Sequence, residues 1–110
     1  MIYELREYVA VPGKRDQVLA RFADHTMALF AKHGMEVTGF WVDRSDPDRL
    51  VYILQFPDDQ TLAAAWEAFR ADPAWQEAKA KSEANGPIVA EVISRVLLAT
   101  PFGPQGRNTR

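Results

Sequence analysis

The chain has 110 residues, a length typical of one domain, with thirteen Lys and Arg against fifteen Asp and Glu. These charges are spread along the whole chain, so a basic nucleic-acid interface is not expected. Cysteine is absent, which excludes disulfides, a thiol nucleophile and a thiolate-bound metal. No apolar run approaches the roughly 18 residues of a membrane span, and early charges interrupt any signal peptide. We therefore expect a soluble, cytoplasmic domain with no nucleic-acid or membrane partner.

The first half of the chain predicts a strand, a helix and a β-hairpin. Residues 2–9 are rich in β-branched and aromatic side chains, and Pro12 and Gly13 end this strand. Apolar residues then recur at helical spacing over 13–33, and Gly34 follows. Two further β-type runs, 37–44 and 50–56, flank turn residues at 45–48, which predicts a hairpin.

The second half predicts two helices and a last strand. Asp58 is suited to cap a second helix, and Asp72 followed by Pro73 begins a separate short helix over 73–84. Residues 88–99 form the last predicted strand. We expect one domain over 1–102 and a flexible C-terminal tail over 103–110, because the tail is rich in Pro, Gly and polar residues.

The order β-α-β-β-α-β, with an extra short helix before the last strand, predicts an α+β ferredoxin-like sandwich. Its sheet carries helices on one face only, yet the third and last strands are apolar on both sides. In the third strand, Tyr52 and Leu54 alternate with Val51 and Ile53. A sheet with one face in water alternates more cleanly, so we expect a homodimer that covers the second face.

Catalytic candidates are few. The sequence has no phosphate-binding Gly-rich loop, nucleophile elbow or zinc-protease motif, and we expect no metal or cofactor. His25, predicted at the rim between the first helix and the sheet, is the candidate catalytic residue, because an imidazole serves as acid, base or ligand. A purely structural role remains open for it. His33 is expected to be half-buried in the last helical turn, where the helix dipole favours a cation.

Glu4, Arg6 and Tyr8 share one face of the first strand and are candidate binding residues. Charges this deep in a β-pattern either line a cavity or form pairs at an interface. In the second interpretation, Glu4 and Arg6 form a polar ladder with Glu91 and Arg95 of the last strand, on the face turned toward the partner.

Aromatic residues supply a second set of candidates. Trp41 and Trp66 would wall an apolar pocket between the first helix and the sheet, with room for a small apolar or aromatic ligand. Aromatic residues at helical spacing also occur as ordinary core, so both interpretations stay open.

A series of short motifs, in order along the chain, resembles the NIPSNAP family. The resemblance covers residues 1 to about 102 and is strongest over 66–75, Trp-Glu-Ala-Phe-Arg-Ala-Asp-Pro-Ala-Trp. Gly103 is a departure, since many relatives carry Ser there. The other motifs are the opening Met-Ile-Tyr-Glu-Leu-Arg-Glu-Tyr, Pro12 to Lys14, a first helix with two His before Gly34, Gly39 to Trp41, 81–86, and Leu97 and Leu98 with Pro101 and Phe102.

The resemblance implies a dimeric α/β barrel, in which two ferredoxin-like protomers join through their sheets, and no settled reaction. The wider superfamily includes haem-degrading and cofactor-free monooxygenases, whose catalytic sets include a helix His, a Trp and an Asn. His25 and Trp66 are available here, but Asn85 lies in a predicted turn and Asn108 in the tail, which disfavours haem degradation. Three functions therefore stand: a homodimer with a small-molecule pocket, a monooxygenase-like enzyme, and a non-catalytic dimeric interaction module.

Overall fold

Four strands and four α-helices make up the computed structural model, which describes residues 1–104. The predicted α+β, ferredoxin-like fold class is confirmed. The strands are β1 (Ile2–Ala10), β2 (Glu36–Val42), β3 (Arg49–Phe56) and β4 (Val89–Leu98), and the helices are α1 (Arg15–Arg21), α2 (Met27–Lys32), α3 (Asp59–Ala71) and α4 (Pro73–Ser82). Within this part of the chain, no helix has both the length and the apolar character needed to cross a membrane.

The sheet is antiparallel, with strand order β2-β3-β1-β4, so β2 and β4 are its edges. Central β1 pairs with both β3 and β4, and Tyr8 lies opposite Leu50 on one side and Val92 on the other. Residues opposite one another point to the same face. The even-numbered residues of β1, β3 and β4 therefore share one face, and Leu50, Tyr52, Leu54 and Phe56 are fully buried under the helices there.

The first helical segment contains a wider turn. Between α1 and α2, residues Phe22–Thr26 form a π-helical turn, in which the N–H of Met27 donates to the carbonyl oxygen of Phe22. Buried residues recur here every four positions. On a straight α-helix each such step moves the buried side by about 40° around the helix axis. A turn with an extra residue reduces this drift, so Val18 and Phe30 both stay against the sheet.

The predicted helix starts are confirmed by their caps. The Asp58 carboxylate accepts from the N–H of Thr61 at 2.7 Å, and Asp72 accepts from the N–H of Ala74 at 2.9 Å, with Pro73 first in α4. The second carboxylate oxygen of Asp72 lies 2.8 Å from His33 Nε2, and His33 is half-buried as predicted. Asp72 thereby joins the first helical segment to α4.

Aromatic rings fill the space between helices and sheet. Phe22 and Phe30 pack on Tyr52 with centroid separations of 5.4 and 5.8 Å, and Phe40 stacks on Tyr52 at 5.2 Å. This layer covers β3 and β1, whereas Val92, Val96 and Leu98 on the same side of edge strand β4 are exposed.

Candidate functional site

A group of hydrogen-bonded polar side chains lies on the helix-facing side of the sheet; we call it the β1 polar cluster and define it as Glu4, Arg6, Tyr8, Tyr52, Trp66 and Ser94. Glu4 is 3% exposed and is its centre. One Glu4 oxygen accepts from Trp66 Nε1 at 2.6 Å. The other accepts from Arg6 Nη1 at 3.1 Å and from Ser94 Oγ at 2.5 Å. Every partner donates, which is the pattern of an ionised carboxylate.

Arg6 is the other charged member. Its Nε donates to the Tyr52 hydroxyl at 2.8 Å and its Nη2 to the Tyr8 hydroxyl at 3.3 Å. The guanidinium also lies 4.2 Å from the ring centre of Trp66, a cation–π distance. Three hydrogen bonds and an aromatic face thus fix the orientation of the group, while 15% of the Arg6 side chain remains exposed.

The environment shifts two pKa values in this cluster. Burial alone would lower the pKa of Arg6, but Tyr52, Tyr8 and Glu4 together outweigh it and raise the pKa above its ordinary value. Burial raises the pKa of Tyr52 as well, with a further contribution from Tyr8 and opposition from Arg6. Arg6 is therefore charged and Tyr52 is a neutral phenol at neutral pH.

An apolar surface borders the cluster on edge strand β4. Val92, Val96 and Leu98, which we call the β4 apolar row, pair with Tyr8, Glu4 and Ile2 and so share their face. These three side chains are 45%, 48% and 77% exposed. The cluster and the row together place buried polar groups beside uncovered apolar surface.

The structure brings four of the six predicted site residues together. Glu4, Arg6, Tyr8 and Trp66 are all members of the β1 polar cluster. Sequence reasoning missed the hydrogen-bonding role of Tyr52, because its strand is apolar on both sides. It also missed Ser94, although this hydroxyl is the one polar interruption of an otherwise apolar strand face.

Trp41 lies on the opposite face of the sheet, so the prediction that it shares a pocket with Trp66 is wrong. Phe40 pairs with Tyr52 on the helix-facing side, and its neighbour Trp41 therefore points the other way, where it is 54% exposed. Its ring lies over Gly39, close enough that a Cβ at that position would meet ring atoms 2.2 to 2.9 Å away.

His25 also lies apart from the cluster. The predicted position at the rim between helix and sheet is wrong, because His25 is exposed beside α4, in a cleft with Ala78 and Lys81. The buried stripe of the first helical segment passes through the adjacent Thr26, which turns His25 outward.

The proposed ladder of Glu4, Arg6, Glu91 and Arg95 is likewise wrong. The register pairs Arg95 with Leu5 and Glu91 with Val9, the odd-numbered face, whereas Glu4 and Arg6 point toward the helices. Glu4 and Arg6 instead hydrogen-bond to each other on the helix-facing side, where Trp66 also donates to Glu4.

Besides the cleft that contains His25, two clefts are apolar in part. One of about 490 Å³ lies on the helix-free face, between Tyr3, Trp41 and Ile53 and the segment from Leu97 to Pro104. Another, of about 440 Å³, lies between α2 and β2 beside Phe30, Met35 and Val37.

Among residues 1–104, no group of three or more His, Asp or Glu side chains is placed to hold a metal ion. The part of the predicted tail beyond Pro104 lies outside the described residues.

The fold defines the chain as a ferredoxin-like α+β protein of a kind found in several solved structures. A putative antibiotic biosynthesis monooxygenase from Nitrosomonas europaea is 13% identical, with a TM-score of 0.65 over 90% of this chain and 98% of that one. An uncharacterised NIPSNAP domain protein from Burkholderia xenovorans is 24% identical, with a TM-score of 0.81 over 94% and 99%. A NIPSNAP family protein from Agrobacterium tumefaciens is 21% identical, with a TM-score of 0.82 over 94% and 96%.

The family follows from the sequence match. The NIPSNAP family model matches residues 3–104, and the chain belongs to the NIPSNAP family. No curated protein matches the chain significantly. The likeness to monooxygenases, at 13% to 20% identity, is a likeness of fold.

Proposed function

We propose that this NIPSNAP protein is a homodimer that binds a small apolar or aromatic molecule between the β4 apolar row and the β1 polar cluster. The observation that carries the proposal is the juxtaposition of Val92 and Val96, each nearly half exposed, with Arg6, whose side chain is 15% exposed. Exposed apolar surface beside a few fixed polar groups is what a small ligand needs for affinity and orientation.

The homodimer is proposed from the helix-free face of the sheet. Leu5, Val51, Ile53 and Ile93 lie there half-buried, and Trp41 is more than half exposed. Burying such apolar area contributes about 25 cal/mol per Å². A second copy that presents the same surface across a twofold axis covers the helix-free faces of both protomers at once.

One pair of matched substitutions separates the ligand site from the dimer interface. Trp41 and Val96 are about equally exposed, at 54% and 48%, and lie on opposite faces of the sheet. We expect Trp41→Asp to give monomers in light scattering at micromolar concentration. Val96→Asp should leave the dimer intact and abolish binding of fluorobenzene, followed by ¹⁹F NMR.

Three results count against the proposal. A monomeric unsubstituted protein would remove the homodimer. Failure of fluorobenzene to bind would remove the ligand site and favour the non-catalytic module. Monomers produced by Val96→Asp would show that the β4 apolar row is itself part of an interface.

The monooxygenase-like alternative rests on the fold alone. His25, its candidate base, lies on the outer side of the helical layer beside Lys81, away from Glu4 and Arg6. The site geometry therefore favours binding over that reaction.

A further inference from the structure

Hydrogen-bond accounting at the two tyrosines leaves one proton without an acceptor. Each phenol carries one proton. Both hydroxyl oxygens accept from Arg6, and a single further hydrogen bond, 3.4 Å long, joins Tyr52 to Tyr8. The hydroxyl proton of one tyrosine lies between the two oxygens. The hydroxyl proton of the other tyrosine therefore has no acceptor among the described residues. Tyr52 is fully buried and donates to Tyr8, which places the spare proton on Tyr8.

Arg6 has spare donors as well. A guanidinium carries five N–H groups, and three of them donate, to Tyr52, Tyr8 and Glu4. Two remain without an acceptor among residues 1–104. The Arg6 side chain is 15% exposed, and Ser94, its neighbour on edge strand β4, is exposed.

The charges of the cluster decide which kind of ligand oxygen atom these donors can bind. The Glu4 carboxylate and the Arg6 guanidinium cancel, and both phenols add no charge. A ligand carboxylate would bring a negative charge close to the buried Glu4 carboxylate, at a site with no net positive charge to balance it, which is costly. A neutral carbonyl oxygen accepts the same hydrogen bonds without that cost.

We propose that Tyr8 and Arg6 form a donor pair for the carbonyl oxygen of a small ketone whose apolar or aromatic body lies on the β4 apolar row. This inference rests on the proposed function, since it names the chemical class of ligand for the same site. Tyr8 and Arg6 supply hydrogen bonds that orient the carbonyl, and Val92 and Val96 contact the body.

The experiment compares three fluorinated probes of similar size by ¹⁹F NMR titration: 4-fluoroacetophenone, fluorobenzene and 4-fluorobenzoate. We expect the ketone to bind roughly tenfold more tightly than fluorobenzene, as about one net hydrogen bond provides. The benzoate should bind more weakly than the ketone. Tyr8→Phe should remove the advantage of the ketone over fluorobenzene.

Tyr3→Phe is the matched control. Tyr3 is buried to the same extent as Tyr8 but lies on the helix-free face, so this substitution should leave all three affinities unchanged. The comparison of probes on the unsubstituted protein needs no variant and stands even if Tyr8→Phe folds poorly.

Equal affinity for the ketone and fluorobenzene would overturn the donor pair while leaving the apolar ligand site in place. Tightest binding of the benzoate would overturn the neutral-ligand argument. If no probe binds, the proposed function fails together with this inference.

Discussion

Glu4 is the residue on which the hydrogen bonds of the β1 polar cluster converge. Its two oxygens accept from Trp66, Arg6 and Ser94, which come from three different elements. Removing one partner of a buried ion pair leaves the other charge uncompensated, and this costs more than the pair itself contributes. Glu4 therefore compensates the charge of Arg6 in the folded protein and also orients its side chain.

The substitution Glu4→Leu tests this role. We expect it to lower the free energy of unfolding by about 3 kcal/mol, because Arg6 and the Trp66 indole then lose their acceptor. The control is Glu7→Leu on the opposite face, where a half-exposed pair with Arg49 is lost, at a cost below about 1 kcal/mol. Urea unfolding measures both, and similar losses for the two variants would contradict the argument.

The contribution of Asp72 to the stability of the fold is predicted to depend on pH. Lys32, His33 and the N–H of Ala74 lower the pKa of Asp72 well below its ordinary value. A group with a depressed folded-state pKa stabilises the fold above its unfolded pKa, about 3.9 for Asp, and loses that contribution as the pH falls.

Asp72→Asn keeps a capping side chain and removes the charge. The loss of stability it causes should therefore be largest near pH 5 and shrink toward pH 2. Urea unfolding across that range tests this, with the exposed Asp59→Asn as control. A loss that did not change with pH would show that the cap alone, not the charge, matters.

Strand β2 illustrates how one small residue shapes an element. The six-membered ring of Trp41 occupies the space that a Cβ at position 39 would need, which explains why a glycine stands two residues before the tryptophan in the Gly39-Phe40-Trp41 motif. The contact involves the far end of an exposed side chain, which can move. A larger residue at Gly39 should therefore displace the ring rather than unfold the strand.

For Gly39→Ala we expect a change in the free energy of unfolding below about 1 kcal/mol. Glycine destabilises a strand interior, so replacing it offsets the cost of displacing the Trp41 ring. The Trp41 indole N–H resonance should shift, and the dimer should weaken because Trp41 lies on the proposed interface. In a Trp41→Ala background the same substitution should have no effect on assembly. An unshifted resonance in Gly39→Ala would contradict the contact.

Local chemistry predicted most of the fold correctly. The caps at Asp58 and Asp72 and the hairpin between β2 and β3 depend on neighbouring residues, so they can be inferred without tertiary contacts. The faces of the strands could not be assigned in this way, because both sides of β3 are apolar and because charged Glu4 and Arg6 lie on the buried side of β1. A regular helical wheel does not place the π-helical turn that contains His25, although the four-residue spacing of Val18, Phe22, Thr26 and Phe30 that accompanies it is visible in the sequence.

Considered as a whole molecule, the protein exposes apolar surface on both faces of its sheet. On the helix-free face this surface is broad and carries Trp41, which fits a second copy. On the helix-facing side it is confined to the β4 apolar row beside Arg6, which fits a small ligand. The two surfaces are thus expected to serve two different purposes.

The most direct test of this account is a map of amide chemical-shift changes when the unsubstituted protein is titrated with 4-fluoroacetophenone. The account predicts that the largest changes fall in β4 from Val92 to Val96 and in β1 near Arg6 and Tyr8. Largest changes at Thr38, Trp41 and Gln55, which line the cleft on the helix-free face, would contradict it, as would a spectrum that does not change.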